Sequence, residues 1–219
     1  VNVVKSNADE LIERLRNEAE NSKADIFISV DAGKLQKAAS MGLLQNVSDD
    51  IQIDNIINSL LDVNDFWLPL TYRARILVYS NDRVDVNELD SYESLSDEKW
   101  KNRILVRSSS NAYNQALMAS VIANNGYDGA KKWSKRIVEN LARSPKGNDR
   151  DQVKAIYSGL GDVAIVNSYY IGLLLSSKKE EERKAGEAVS VFFPNQSENQ
   201  RGTHMNISGM GITKNAPNL

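Results

Sequence analysis

The sequence has no cysteine and only one histidine in 219 residues. The first absence excludes disulfides and thiol chemistry. With a single imidazole as well, any metal site must lean on oxygen donors, which select hard ions over zinc or copper(I). No apolar run approaches the ~18 residues that would span a bilayer as a helix, and no signal peptide is visible at Val1. Positive charge is not in excess: 27 Lys and Arg stand against 29 Asp and Glu, for a formal net charge of −2. The basic residues are scattered, not striped, so there is no electrostatic footprint for nucleic acid. The cluster Gly159-Leu160-Gly161-Asp162 lacks the lysine of a phosphate-binding loop, which gives no indication of nucleotide binding. The sole imidazole, His204, is near no Ser or Asp motif that would make a nucleophile–base pair, so no enzyme is expected.

What is present is an ordinary globular composition, 41% hydrophobic and 26% charged, enough for one large domain or two lobes. Hydrophobic periodicity predicts strands over 1–4, 24–30, 68–80, 104–107, 163–166 and 189–193. Helices are predicted over 9–20, with Asn7 as cap, and over 33–41, 91–100, 112–124, 129–141 and 150–158, with Gly126 closing the fourth. Asp149 is the expected cap of the last of these, after a Pro/Gly turn. The alternation implies an α/β protein with mainly parallel sheets. The charged run 176–186 reads as a solvated helix end or loop.

The feature that carries most chemistry is the pair Tyr169-Tyr170, just past the apolar strand that ends in Asn167-Ser168. Two adjacent phenols make poor core residues: each hydroxyl needs a partner, and neighbours on an extended segment point opposite ways. They make good ligands for a hard, highly charged cation. A phenol titrates near 10, so binding as phenolate at neutral pH requires a cation strong enough to displace the proton. Iron(III) meets that demand, whereas Ca²⁺ and Mg²⁺ prefer carboxylates and carbonyls.

Several stretches taken together resemble the periplasmic ferric-iron-binding proteins of ABC transporters. They include Ala24-Asp25-Ile26-Phe27-Ile28-Ser29, Leu70-Thr71-Tyr72-Arg73-Ala74-Arg75, Ser110-Asn111-Ala112-Tyr113-Asn114-Gln115, Asn167-Ser168-Tyr169-Tyr170 and Gly202-Thr203-His204-Met205-Asn206. The resemblance runs through essentially the whole chain. It implies a two-lobed α/β clamshell of the type II periplasmic binding proteins, joined by hinge strands, with lobe 1 over 1–75, lobe 2 over 76–194 and a return to lobe 1 over 195–219. It implies Fe(III) held by Tyr113, Tyr169 and Tyr170. A synergistic anion such as carbonate would be held by Arg73, with Arg75 as a less favoured substitute, and by the loop Ser110, Asn111 and Ala112. Further family ligands lie in a segment upstream of Val1, and both ends read as cut. The expected protein is an exported, periplasmic monomer that captures ferric iron and delivers it to a membrane permease, without nucleic acid. The alternative is a protein of the same fold that binds a small anion or organic solute. His204 is expected to serve as a structural hydrogen-bonding residue near the hinge and not as a metal ligand.

Overall fold

The computed structural model describes residues 1–47 and 56–218. They form two compact units, Val1–Tyr72 with Asn206–Leu219, and Arg73–Met205.

In the first unit, α1 (Ala8–Glu18) starts where the Asn7 side chain accepts the Glu10 N–H. Strand β1 (Ile26–Ser29) leads into α2 (Ala32–Ser40), which Asp31 caps by accepting the Lys34 N–H. In both helices a side-chain oxygen satisfies one of the amides that a helix start leaves without a backbone partner. Strand β2 (Leu68–Ser80) begins in this unit and finishes in the other. The core gathers Ile12, Phe27, Leu35, Ala38 and Ile207. The last of these lies on a strand that follows all the others in sequence, numbered β6 below. The expected strand over 1–4 is absent; those residues are exposed coil.

The second unit continues β2 and adds β3 (Ile104–Leu105), α3 (Ala112–Glu139), α4 (Asp149–Tyr157), β4 (Val163–Asn167), α5 (Tyr169–Leu175), α6 (Glu180–Glu187) and β5 (Val189–Phe192). The chain then returns through β6 (Met205–Ile212), which pairs antiparallel with β1, Ile26 opposite Ile212 and Ser29 opposite Gly209. Gly209 and Gly211 permit close passage on β6: a Cβ there would lie 2.7 Å from the Leu68 carbonyl oxygen and 2.8 Å from that of Phe66.

The expectation of mainly parallel sheets needs correction, and the register shows why. Strand β4 pairs antiparallel with β2, Arg75 opposite Asn167 and Tyr79 opposite Val163, and β5 pairs antiparallel with β2 on its other side. Strand β3 joins β4 in parallel. The helical crossovers therefore do set β3, β4 and β5 in one direction, as βαβ connections require. It is β2, arriving from the other unit, that runs against them. Alternate residues of β2 serve two cores: Leu77 packs with Tyr92, Trp100, Trp133 and Ile165, while Ile76 and Val78 pack with Ile156, Val166 and Leu174. A strand covered on both faces reads as a continuous apolar run, as the stretch Ile76–Tyr79 of β2 does.

Other differences are local. The predicted helix over 91–100 is a pair of short 3-10 turns, Glu93–Ser96 and Glu98–Trp100. Helix α3 carries both predicted helices, broken by Gly126 at φ 70°, a left-handed value that suits a residue without a Cβ. The charged run contains α6. The units divide at Tyr72/Arg73 and Met205/Asn206, which groups the segment 195–205 with the second unit. Its polar side chains find partners there: the Tyr92 N–H donates to Asn195 Oδ1 at 3.1 Å, and Arg201 donates to Ser120 Oγ at 2.6 Å and to Glu93 at 3.1 Å.

Candidate metal centre

All eight residues singled out for metal or anion binding, Arg75 included, fall in the second unit. Strand β4 ends at Asn167, and Tyr169 and Tyr170 then open α5. The pair thus occupies the first turn of a helix and not an extended segment, which corrects the reading that the two rings diverge. Consecutive helical residues project about 100° apart instead of to opposite sides, and the rings lie with centroids 4.3 Å apart and planes tilted by 34°.

Tyr113 comes from α3. Asn111 caps this helix by accepting the Tyr113 N–H at 3.0 Å, which fixes the tyrosine one residue inside the helix start. Its hydroxyl lies 3.5 Å from that of Tyr169. Two oxygens that share one small hard ion at about 2 Å each are separated by no more than about 4 Å, so this spacing suits common ligation. Tyr170 joins through its ring contact with Tyr169 and a side-chain interaction with the Tyr169 phenol. Burial, and then the bond to Tyr169, pushes Tyr113 up to about 12, against the opposing pull of Arg73 and Arg107. Burial likewise raises Tyr169, opposed by its interactions with Tyr113 and Asn167. Without a cation both phenols keep their protons at neutral pH, and a cation must displace them to bind.

Three guanidinium groups surround the Tyr113 ring. Those of Arg73 and Arg107 lie 5.4 Å from its centroid and that of Arg75 lies 6.0 Å away, within cation–π range. Arg73 is buried beside the ring. Arg75 is fully buried and committed elsewhere: it donates to Asp149 at 2.5 Å, Asn114 at 2.7 Å and Asn167 at 3.1 Å. Arg75 is thus paired with an acid. The sequence reading passed over Arg107, whose one signal is its place as a basic residue between β3 and the Ser108–Asn111 turn. In that turn the Ser110 N–H donates to Ser108 Oγ and the Asn111 N–H to the Ser108 carbonyl, so both amides have local partners. Ala112 supplies the leading amide of α3. His204 acts through its backbone, its carbonyl accepting the Arg75 N–H at 2.9 Å and its N–H donating to the Tyr92 hydroxyl at 3.2 Å. Among the described residues no group of three or more His, Asp or Glu side chains converges as a metal site, and no helix is long and apolar enough to cross a membrane.

Residues 21–216 match the family described as bacterial extracellular solute-binding protein. The chain is 43% identical over 218 residues to iron uptake protein A1 of Synechocystis, covering all of this chain and 60% of that protein. It is 46% identical over 218 residues to iron uptake protein A2 of the same organism, covering 63% of it. It thus spans less than two thirds of the length of these relatives. Among solved structures it is similar to apo FutA2 from Synechocystis, with a TM-score of 0.94 and 46% identity over 99% of this chain and 69% of that one. It is also similar to a Trichodesmium protein solved in complex with iron and citrate ligands, with a TM-score of 0.93 and 46% identity over 100% of this chain and 68% of that one. These likenesses bear out the fold class expected from the sequence, a two-lobed α/β binding protein of type II.

Proposed function

This chain belongs to the family of bacterial extracellular solute-binding proteins, and on that premise we propose that it captures ferric iron outside the cytoplasm and delivers it to the membrane permease of an ABC transporter. The observation that carries the proposal is the approach of the Tyr113 and Tyr169 hydroxyls to 3.5 Å, with Tyr170 against Tyr169. Phenolate oxygens favour iron(III) over iron(II), and three of them balance its three positive charges. The names of the relatives, iron uptake proteins and a protein solved with iron and citrate, support the same reading. The remaining coordination positions fall in part to a small anion such as carbonate. Arg73 is the residue to hold it, because a planar guanidinium grips a planar anion at two points, with Ala112 at the helix start as a backbone donor. The protein acts as a monomer, and protonation of the phenolates releases the cargo.

The test is colour. Ferric iron added with bicarbonate is expected to produce a visible phenolate-to-iron charge-transfer band. Replacing Tyr169 and Tyr170 together by Phe removes the donor oxygens, keeps the rings, and is expected to abolish the band while the fold is retained. Protons compete for every phenolate, and burial raises those of Tyr113 and Tyr169. The band should therefore fade steeply on acidification, well above the carboxylate range near pH ~4. A band that survives the double substitution, or holds until that range, would overturn the assignment.

A further inference from the structure

Helix α4 starts in an unusual division of labour. Asn148, not Asp149, is its cap: the Asn148 side chain accepts the Arg150 and Asp151 N–H groups, and Asp151 returns a bond to the Asn148 N–H. Released from capping, the Asp149 carboxylate is completely buried. One oxygen accepts from Arg75 at 2.5 Å and from the Asn167 backbone N–H at 2.8 Å; the other accepts from Arg107 at 3.3 Å. Arg75 passes the connection to the Asn114 Oδ1, and Asn114 donates in turn to the Arg107 carbonyl at 2.8 Å and the Ser108 carbonyl at 3.3 Å. Asn114 adjoins Tyr113 in sequence, and Asn167 lies two residues before Tyr169. The network therefore runs beneath the tyrosines and ties α3 to the end of β4. A buried ion cluster is not needed for stability as such, since well-packed apolar residues often do as well.

We infer that Asp149 is a positioning residue for the tyrosine site, holding through Arg75 and Asn114 the spacing at which Tyr113 and Tyr169 meet one ion. The inference rests on the iron-capture reading above. The molecule supplies its own control. Asp162 also bridges two arginines, Arg83 and Arg103, each at 2.7 Å, but it adjoins the opposite end of β4 and holds no element that carries a tyrosine of the site.

The experiment loads the wild-type protein, Asp149→Asn, Asn114→Ala and Asp162→Asn with ferric iron and bicarbonate. It reads the position of the charge-transfer band and the affinity by competition with a chelator. Asp149→Asn and Asn114→Ala are expected to shift the band and weaken binding by about 10- to 100-fold, the usual effect of losing a support behind a metal ligand. Asp162→Asn is expected to lower thermal stability with band and affinity kept. If Asp149→Asn does not fold, Asn114→Ala carries the test, because it leaves the Asp149–Arg75 pair in place. A wild-type band transmitted unchanged to Asn114→Ala, with unchanged affinity, would overturn the inference, as would an equal shift in Asp162→Asn. Absence of the band from the wild-type protein would overturn the iron reading and the inference with it.

Discussion

Strand β4 has an aspartate held between two arginines at each end, and the two arrangements differ chiefly in their access to water. At the Asn167 end, the Asp149 and Arg75 side chains are 0% and 1% exposed. At the Val163 end, Asp162 is 17% exposed and its partners Arg83 and Arg103 are 38% and 24% exposed. Where water reaches a pair, it screens the attraction and solvates whichever partner is left alone, so the pair contributes little. Where water is excluded, each charge depends on its partner, and removing one strands the other. The same two residue types thus make a surface clasp at one end of the strand and a structural support at the other. The polar loop, the helix starts and the tyrosines all collect at the Asn167 end, above the dry pair.

The contrast can be broken at its strongest point first. Asp149→Asn leaves Arg75 and Arg107 without their shared counter-charge, and is expected to cost about 3–5 kcal/mol in chemical denaturation. A loss under 1 kcal/mol would show that water reaches the site and that the two ends are equivalent. Next in size is Tyr92→Phe. The Tyr92 hydroxyl is buried, donates to the Arg75 carbonyl and accepts the His204 N–H. Its removal leaves both backbone groups without that partner, at a cost of about 1–3 kcal/mol. A neutral result would mean that the Arg75 backbone needs no such anchor. The smallest effect belongs to Asp162→Asn, at most about 1 kcal/mol near neutral pH. Its pH dependence sharpens the comparison. Burial alone would raise the Asp162 carboxyl, but bonds from Arg83 and Arg103 outweigh it and hold the group below its usual value. A depressed carboxylate contributes stability that is present above its unfolded value near ~3.9 and lost as pH falls through the folded value. The difference between wild type and Asp162→Asn should therefore vanish in acid. Molar salt should shrink it as well, through screening of exposed charges, without closing the gap opened by Asp149→Asn. Melting curves across pH and salt decide this, and a difference indifferent to both would refute the electrostatic account.

Much of this arrangement was legible in the residues. Strand β2 has the bounds that its β-branched and aromatic run announces, Asn7 caps α1, and Gly126 marks the break in α3. Periodicity and punctuation are local properties, and local properties determine them. The direction of β2 relative to its neighbours was not legible, because pairing direction depends on which unit a strand enters from. Nor was the helical start at Tyr169, where Ser168 adopts helical backbone without offering a capping side chain. The exchange of roles between Asn148 and Asp149 did leave a trace. The spacing of Asn148 and Asp151 is that of a capping box, which assigns the cap to Asn148 and leaves Asp149 for other work. Arg107 left almost none, since its partners Asp149 and Tyr113 come from other elements.

The division of the chain bears on how the molecule is made. The second unit is encoded in one uninterrupted stretch, Arg73–Met205, whereas the first draws on two separated segments, Val1–Tyr72 and Asn206–Leu219. A ribosome releases its product from the amino terminus, and domains generally fold as units while synthesis proceeds. By the time Met205 has emerged, β2, β3, β4 and β5 are all available to pair with one another. At that moment β1, synthesised earlier, still waits for β6, its antiparallel partner. Within these residues, therefore, the segment that bears the tyrosines has its strand partners at hand before β1 meets β6.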